Sequence, residues 1–184
     1  MSLTYSQPMA LGTKAPSFTL PDVISGKTFT LQELQSSQAT VVMFICNHCP
    51  YVKHIMGAVL QVVYKYQARG VKFVAISSND IVAYPQDDPA AMKQYAAEKA
   101  FTFPYLYDES QQVARAYGAS CTPEFYVFGK DIACAYHGRF DDSSPDKAVP
   151  VTGQDLSAAL DAVLENKPAP IPQHPSMGCN IKWK

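Results

Sequence analysis

The segment Cys46-Asn47-His48-Cys49-Pro50 holds the residue types and spacing most able to do chemistry. Two cysteines separated by two residues can exchange a disulfide or hold a metal ion. Pro50 suits a first helical position, where its missing N–H costs nothing, and this places Cys49 at the N-cap. Free N–H groups and the positive dipole end of a helix stabilise an anion. Cys49 is therefore expected to ionise below the ordinary thiol range, with His48 either assisting or simply solvated in the loop.

The elements on either side support that placement. Val41-Val42-Met43-Phe44-Ile45 is an unbroken apolar run, as a strand buried on both faces of a parallel sheet requires. After Pro50, Val52, Ile55, Met56, Val59, Leu60 and Val63 follow helical spacing until Gly70. Residues 71–77 then read as a second buried strand, which completes a β-α-β unit. Upstream, residues 11–34 read as a hairpin across Ser25-Gly26-Lys27, with Phe29 and Leu31 alternating with threonines. Downstream come a turn-rich loop over 79–89, a helix over 90–99, a short strand over 101–107 and a short helix over 109–117. A hairpin of 124–128 and 132–137 follows, then a last helix capped by Thr152, with Leu156, Ala159, Leu160, Val163 and Leu164 as its apolar stripe. This order predicts an α/β, thioredoxin-like fold with a central mixed sheet flanked by helices and an N-terminal hairpin extension. Residues 1–184 are expected to form a single domain, with 1–10 a flexible N-terminus and 168–184 a Pro-rich tail wandering over the surface.

Composition narrows the partners. The 184 residues are 47% hydrophobic and carry a net charge of −1 without any Lys/Arg block, which argues against nucleic acid or an anionic membrane surface as partner. The apolar runs are strand-sized, far short of a membrane span, and residues 1–14 lack the pattern of a signal peptide. A cytoplasmic protein is expected. Five cysteines, Cys46, Cys49, Cys121, Cys134 and Cys179, make an odd count that does not suit a purely structural disulfide framework. Cys134 lies in an apolar strand and reads as packing, whereas Cys179 sits in a tail that could fold back, dock or pair with another chain. Tyr51, Tyr84, Tyr105 and Tyr107 could line a groove or fill core and rim.

Gly12-x-x-Ala15-Pro16-x-Phe18-x-Leu20 resembles the opening of the AhpC/TSA redoxins, which include peroxiredoxins and TlpA-type thioredoxins. Ser120-Cys121-Thr122-Pro123-Glu124 resembles the cis-proline loop that faces the reactive cysteine of thioredoxin folds. Asn47-His48-Cys49-Pro50-Tyr51-Val52 and the ending Gly178-Cys179-Asn180-Ile181-Lys182-Trp183-Lys184 resemble a peroxiredoxin-like branch of that superfamily, so the likeness spans about residues 10–184. The resemblance implies a cis Thr122–Pro123 bond, with Thr122 and Pro123 binding substrate. It makes Cys49, five residues after Phe44, the nucleophile, with Cys46 at the strand end and less exposed. Val52 occupies the usual resolving position and Met43 the place of the buried acid, so a proton acceptor must come from elsewhere. Glu124 is a candidate for that role, with a solvent-facing structural Glu as the alternative. Cys121, two residues before Pro123, is a second candidate partner for Cys49, or else a buried small hydrophobe. The peroxiredoxin positions that hold Thr, Pro and Arg are here Cys46, Val42 and Thr122, so groups that position a peroxide are missing; Arg139 could supply a guanidinium or form a surface pair with Asp.

The function expected is a thiol–disulfide oxidoreductase, in which Cys49 attacks and Cys46 or Cys121 resolves, acting on a disulfide-containing protein or a small-molecule thiol or peroxide. No cofactor or metal is required for that chemistry. Two alternatives stand beside it. One is a weak thiol peroxidase or peroxide sensor. The other is a Cu- or Zn-binding module built on Cys46, His48, Cys49 and Cys121, with His54 as a further ligand.

Overall fold

In this computed structural model, which describes residues 3–184, the chain opens with strand β1 (Leu3–Tyr5) and then the hairpin of β2 (Thr19–Pro21) and β3 (Thr28–Thr30). Asp22 closes the hairpin turn, accepting from the Ser25 hydroxyl at 2.6 Å, and Gly26 supplies the positive φ of 72° that the turn needs. The expected alternation through Leu31 stops at Thr30. There Thr30 and Glu33 form a capping box that starts the short helix α1 (Leu31–Leu34).

Next comes β4 (Ala39–Phe44), buried at all six positions, and then helix α2 (Pro50–Gln67) and strand β5 (Lys72–Ser77), which runs parallel to β4 with Val42 opposite Val74. Helix α3 (Pro89–Glu98) is capped by Asp88, whose side chain accepts from Ala91 N at 2.7 Å. Strand β6 (Tyr105–Tyr107), helix α4 (Gln112–Tyr117) and strands β7 (Cys121–Thr122), β8 (Glu124–Gly129) and β9 (Cys134–Gly138) follow. Helix α5 (Gln154–Leu164) starts one residue later than expected: Gly153 is its N-cap, because the Asp141 carboxylate accepts from Thr152 N and Gly153 N, each at 2.7 Å, and fixes the turn there.

The main sheet has the order β6-β5-β4-β8-β9, parallel on the β5 side of β4 and antiparallel on the β8 side, and helices flank it. Strand alternation divides the core. Val41 and Met43 face the layer built on Val52, Met56, Val59, Val63, Leu156 and Leu160 of α2 and α5, while Val42 and Phe44 face Leu31, Leu34, Ala114 and Tyr117. Each fully buried Val, Leu or Met contributes about 1.5–3 kcal/mol, so β4 is held from both faces and its C-terminal end is a rigid mount for the Cys46–Pro50 turn.

The two ends of the chain depart from expectation. Strand β10 (Met177–Asn180) lies between β1 and β7, antiparallel to both, with Cys179 opposite Leu3 on one side and Thr122 on the other. The tail therefore does not wander, and the expected flexible N-terminus holds β1; Met1 and Ser2 lie outside the described residues. The reason is that β10 satisfies an open backbone edge on β7, and β1 in turn satisfies the outer edge of β10.

Candidate active site

Cys49 is the N-cap of α2, in extended conformation before Pro50, as its place in the sequence requires. Its sulfur does not close a normal capping bond; it faces inward instead. Cys179 Sγ is 2.8 Å away and the Thr122 carbonyl oxygen 3.2 Å away, across a Thr122–Pro123 bond that is cis. While protonated, Cys49 donates to these acceptors. Once ionised, it becomes the acceptor for the thiols of Cys179 and Cys46, with Val52 N–H and Cys179 N–H adding to the attraction. Those donors outweigh burial and hold the Cys49 thiol far below the usual range.

The neighbouring thiols shift the other way. Cys46 is held up by the proton it donates to Cys49, by burial and by the nearby Asp87. Cys179 is raised by the same donation to Cys49 and by burial, against a lowering pull from Lys182. One negative charge thus resides at Cys49, flanked by two S–H donors. The expected difference in exposure between Cys46 and Cys49 is absent: both are buried, because β10 lies over the turn.

Cys121 is turned elsewhere. Its sulfur lies 3.6 Å from Glu124 Oε2, and burial together with that carboxylate pushes its thiol up. Glu124 is not solvent-facing but fully buried. Its carboxylate accepts from Ser120 N (2.9 Å), Cys121 N (3.0 Å) and the Tyr126 hydroxyl (2.7 Å), and His137 Nε2 lies 2.7 Å away. Met9 N–H donates to His137 Nδ1 at 2.8 Å, which leaves Nε2 as the protonated nitrogen facing Glu124. These donors keep the Glu124 carboxyl below its usual range although burial pushes the other way. Both its oxygens are occupied in anchoring the backbone that leads into the cis-proline loop, so it is a positioning group rather than a free base.

On the other flank, His48 Nδ1 meets the fully buried Asp87 at 2.5 Å, and the His48 ring stacks on Tyr84. Asp87 also accepts from Asn47 N and from Asn79 Nδ2, both at 2.8 Å, which ties the 79–89 loop to the Cys46–Cys49 turn. Among the described residues, ligand atoms of Cys46, His48 and Asp87 lie within 4.8 Å of one another. Both Asp87 oxygens are already hydrogen-bonded, so an ion there would have to break that network. Neither Cys121 nor His54 belongs to this group.

Arg139 pairs with Asp142 (2.5 Å) and Asp155 (2.7 Å). It lines a cleft of about 170 Å³ beside the site, together with Tyr51, His54, Pro123, Lys147 and Met177. Of the other tyrosines considered, Tyr105 is buried with its hydroxyl 3.1 Å from Asn47 Oδ1, and Tyr107 is buried. Cys134 is buried, which pushes its thiol up to about 11. Cys179, Asp87, His137 and Lys182 are the site residues that the sequence did not assign. The Gly178-Cys179 pair in the tail was the one available signal, whereas Asp87 sits in the stretch 79–89 that reads simply as a turn-rich loop.

The sequence profile of the AhpC/TSA family matches residues 11–137. No curated protein sequence matches the chain. The fold is similar to the crystal structure of an uncharacterized conserved protein from Geobacillus kaustophilus, with 51% identity, a TM-score of 0.98, and coverage of 100% of this chain and 97% of that one. A hypothetical protein from Sinorhizobium meliloti is similar at 45% identity and TM-score 0.95, with 98% of each chain covered. A secreted Mycobacterium tuberculosis disulfide oxidoreductase, described as homologous to Escherichia coli DsbE, shares the thioredoxin fold at 22% identity and TM-score 0.60, covering 79% of this chain and 95% of that one.

Proposed function

Since the chain belongs to the AhpC/TSA family, we propose that it is a thiol–disulfide oxidoreductase with Cys49 as its nucleophile. One observation carries this reading: Cys49 is a thiol at a helix N-terminus, flanked by two thiol donors and facing the carbonyl beside a cis-proline. The Cys49 thiolate attacks a client disulfide R–S–S–R′, forms the bond Cys49–S–S–R and expels R′S⁻, which takes a proton from water. A second thiol of the chain then attacks Cys49 Sγ and releases R as a thiol, leaving an intrachain disulfide for a dithiol donor to reduce. A polypeptide client is favoured, because a β-strand edge beside the cis-proline binds extended backbone. A reducing, cytoplasmic setting would keep the cycle poised toward reduction.

The peroxidase alternative has less support, because Arg139 is engaged by two carboxylates and Thr122 Oγ1 faces Cys46 Sγ at 3.4 Å. The metal-binding alternative is weakened by the occupied oxygens of Asp87. In a coupled assay with oxidised glutathione and a dithiol donor, Cys49→Ser is expected to abolish turnover, whereas Cys134→Ser keeps it. Full turnover by Cys49→Ser would overturn the proposal.

A further inference from the structure

Strand β10 occupies the one edge of β7 that an extended client would need. Cys179 lies opposite Thr122 in that pairing, and Gly178 passes so close to the loop that a Cβ there would come 2.0 Å from the Thr122 carbonyl oxygen. No residue but glycine permits the approach that brings Cys179 Sγ to 2.8 Å from Cys49 Sγ. Cys49 is wholly inaccessible beneath this strand. Any polypeptide client must therefore lift β10 before it can react.

We propose that Cys179 is the resolving thiol of Cys49 and that β10 is an internal stand-in for the client strand, displaced when a client binds and returning to discharge it. The proposal rests on the oxidoreductase reading above and names the second thiol that reading leaves open. The electron count closes. The client disulfide is reduced by two electrons in total, and Cys49 and Cys179 together lose them. In the resolving step the Cys179 sulfur bonds to Cys49 Sγ, the Cys49–client S–S bond breaks, and the Cys179 proton passes to the departing client thiolate. A dithiol donor then restores both thiols. While Cys49 is ionised, its charge keeps the Cys179 proton in place. In the mixed disulfide that charge is gone, the nearby Lys182 ammonium remains, and Cys179 is freed to react.

The two other candidate partners are less well placed. Cys46 also hydrogen-bonds to Cys49, but its sulfur is shared with the Thr122 hydroxyl at 3.4 Å, and the nearby Asp87 carboxylate opposes its ionisation whether or not Cys49 is charged. Cys121 faces Glu124, which opposes ionisation in the same way. Neither lies on a strand that a client would have to replace.

The test uses the full-length protein equilibrated across a graded series of reduced and oxidised glutathione, followed by alkylation and peptide mass mapping. The expected result is a Cys49–Cys179 linked peptide, both thiols disappearing at one midpoint, while Cys46, Cys121 and Cys134 remain alkylated. In Cys179→Ala, Cys49 is expected to stay trapped as its glutathione adduct, with turnover at least tenfold lower. A Cys46–Cys49 or Cys49–Cys121 bond in the unmodified chain, or unchanged turnover in Cys179→Ala, overturns the assignment of Cys179 but leaves Cys49 as nucleophile. Failure of Cys49 to form any adduct at any poise overturns both readings together. The mapping of the unmodified chain needs no variant to fold.

Discussion

At Cys49 the folded protein holds a thiolate where the unfolded chain, with a thiol pKa of about 8.5, holds a thiol. Below that value the unfolded state binds one more proton there than the native state, so this contribution to stability rises with pH, by at most about 1.4 kcal/mol per pH unit, and is lost as pH falls toward the native pKa. Above it the sign reverses. Cys46 and Cys179, held protonated by their hydrogen bonds to Cys49 and by burial, keep protons that the unfolded chain has released. Urea midpoints are therefore expected to climb through neutral pH, peak near pH 8.5 to within about a unit, and then decline. Cys49→Ser flattens the rising limb. If the limb were as steep in that variant as in the unmodified protein, Cys49 would not be the ionised sulfur. Glu124 adds a second charge of the same kind in the acid range, where its four partners stabilise the carboxylate and protonation releases them.

At the scale of elements, the decisive junction is β10 on β7. The close pass of Gly178 over Thr122 leaves no room for a methyl group, and the obstructing atom is backbone rather than the end of a flexible side chain. Gly178→Ala is expected to shift β10 away from β7, at a cost of about 1–3 kcal/mol of stability. Cys49 would then be uncovered. Iodoacetamide should modify it about tenfold faster than in the unmodified protein, since that factor needs only about 1.4 kcal/mol off the local opening. An unchanged alkylation rate would mean that Cys49 is reached by a route that does not require β10 to lift. The partner junction, β7 into β8, is held by Glu124, which ties Ser120 and Cys121 to Tyr126 and His137 before the sheet begins. Asp87 does the same for the loop over His48.

Across the whole molecule, the last residues hold the fold together around the site. Ile181 is buried among the side chains on the α4 side of the sheet, and Ile181 N donates to Ser120 O at 3.1 Å. Lys182 N donates to Asn79 Oδ1 at 2.8 Å, Gln111 Nε2 donates to Lys182 O at 2.8 Å, and Arg115 lies over the Trp183 ring. These contacts join the chain end to loops on both sides of the reactive turn. Removing residues 181–184 is expected to lower stability by about 2–5 kcal/mol, from lost burial of Ile181 and from unpaired groups at Asn79 and Gln111. The same deletion should raise Cys49 reactivity, as measured by alkylation beside a urea melt. A truncated chain with unchanged stability would show that the tail merely lies on the surface. Among the described residues, no helix is long and apolar enough to cross a membrane.

The reactive turn was legible in the sequence because its signals are local. An apolar run becomes a strand, a proline after a cysteine starts a helix, and a 3.6-residue period tells which face of that helix is buried. Cys49 at the N-cap of α2 and the β-α-β unit of β4, α2 and β5 follow from those signals. Cys46, three residues before it, followed as a neighbour of Cys49, but Cys179 did not. Cys46 and Cys121 lie close to the reactive turn or to the cis-proline loop in the sequence, whereas Cys179 is 130 residues away and meets Cys49 through a three-stranded sheet that joins both ends of the chain. Short strands such as β1, β7 and β10 carry too few residues for a readable period, and their pairing is decided by which backbone edges the larger sheet leaves open. The burial of Glu124 and Asp87 was hidden for the same reason: a charged side chain goes inside only when several donors converge on it, and only the tertiary structure brings those donors together.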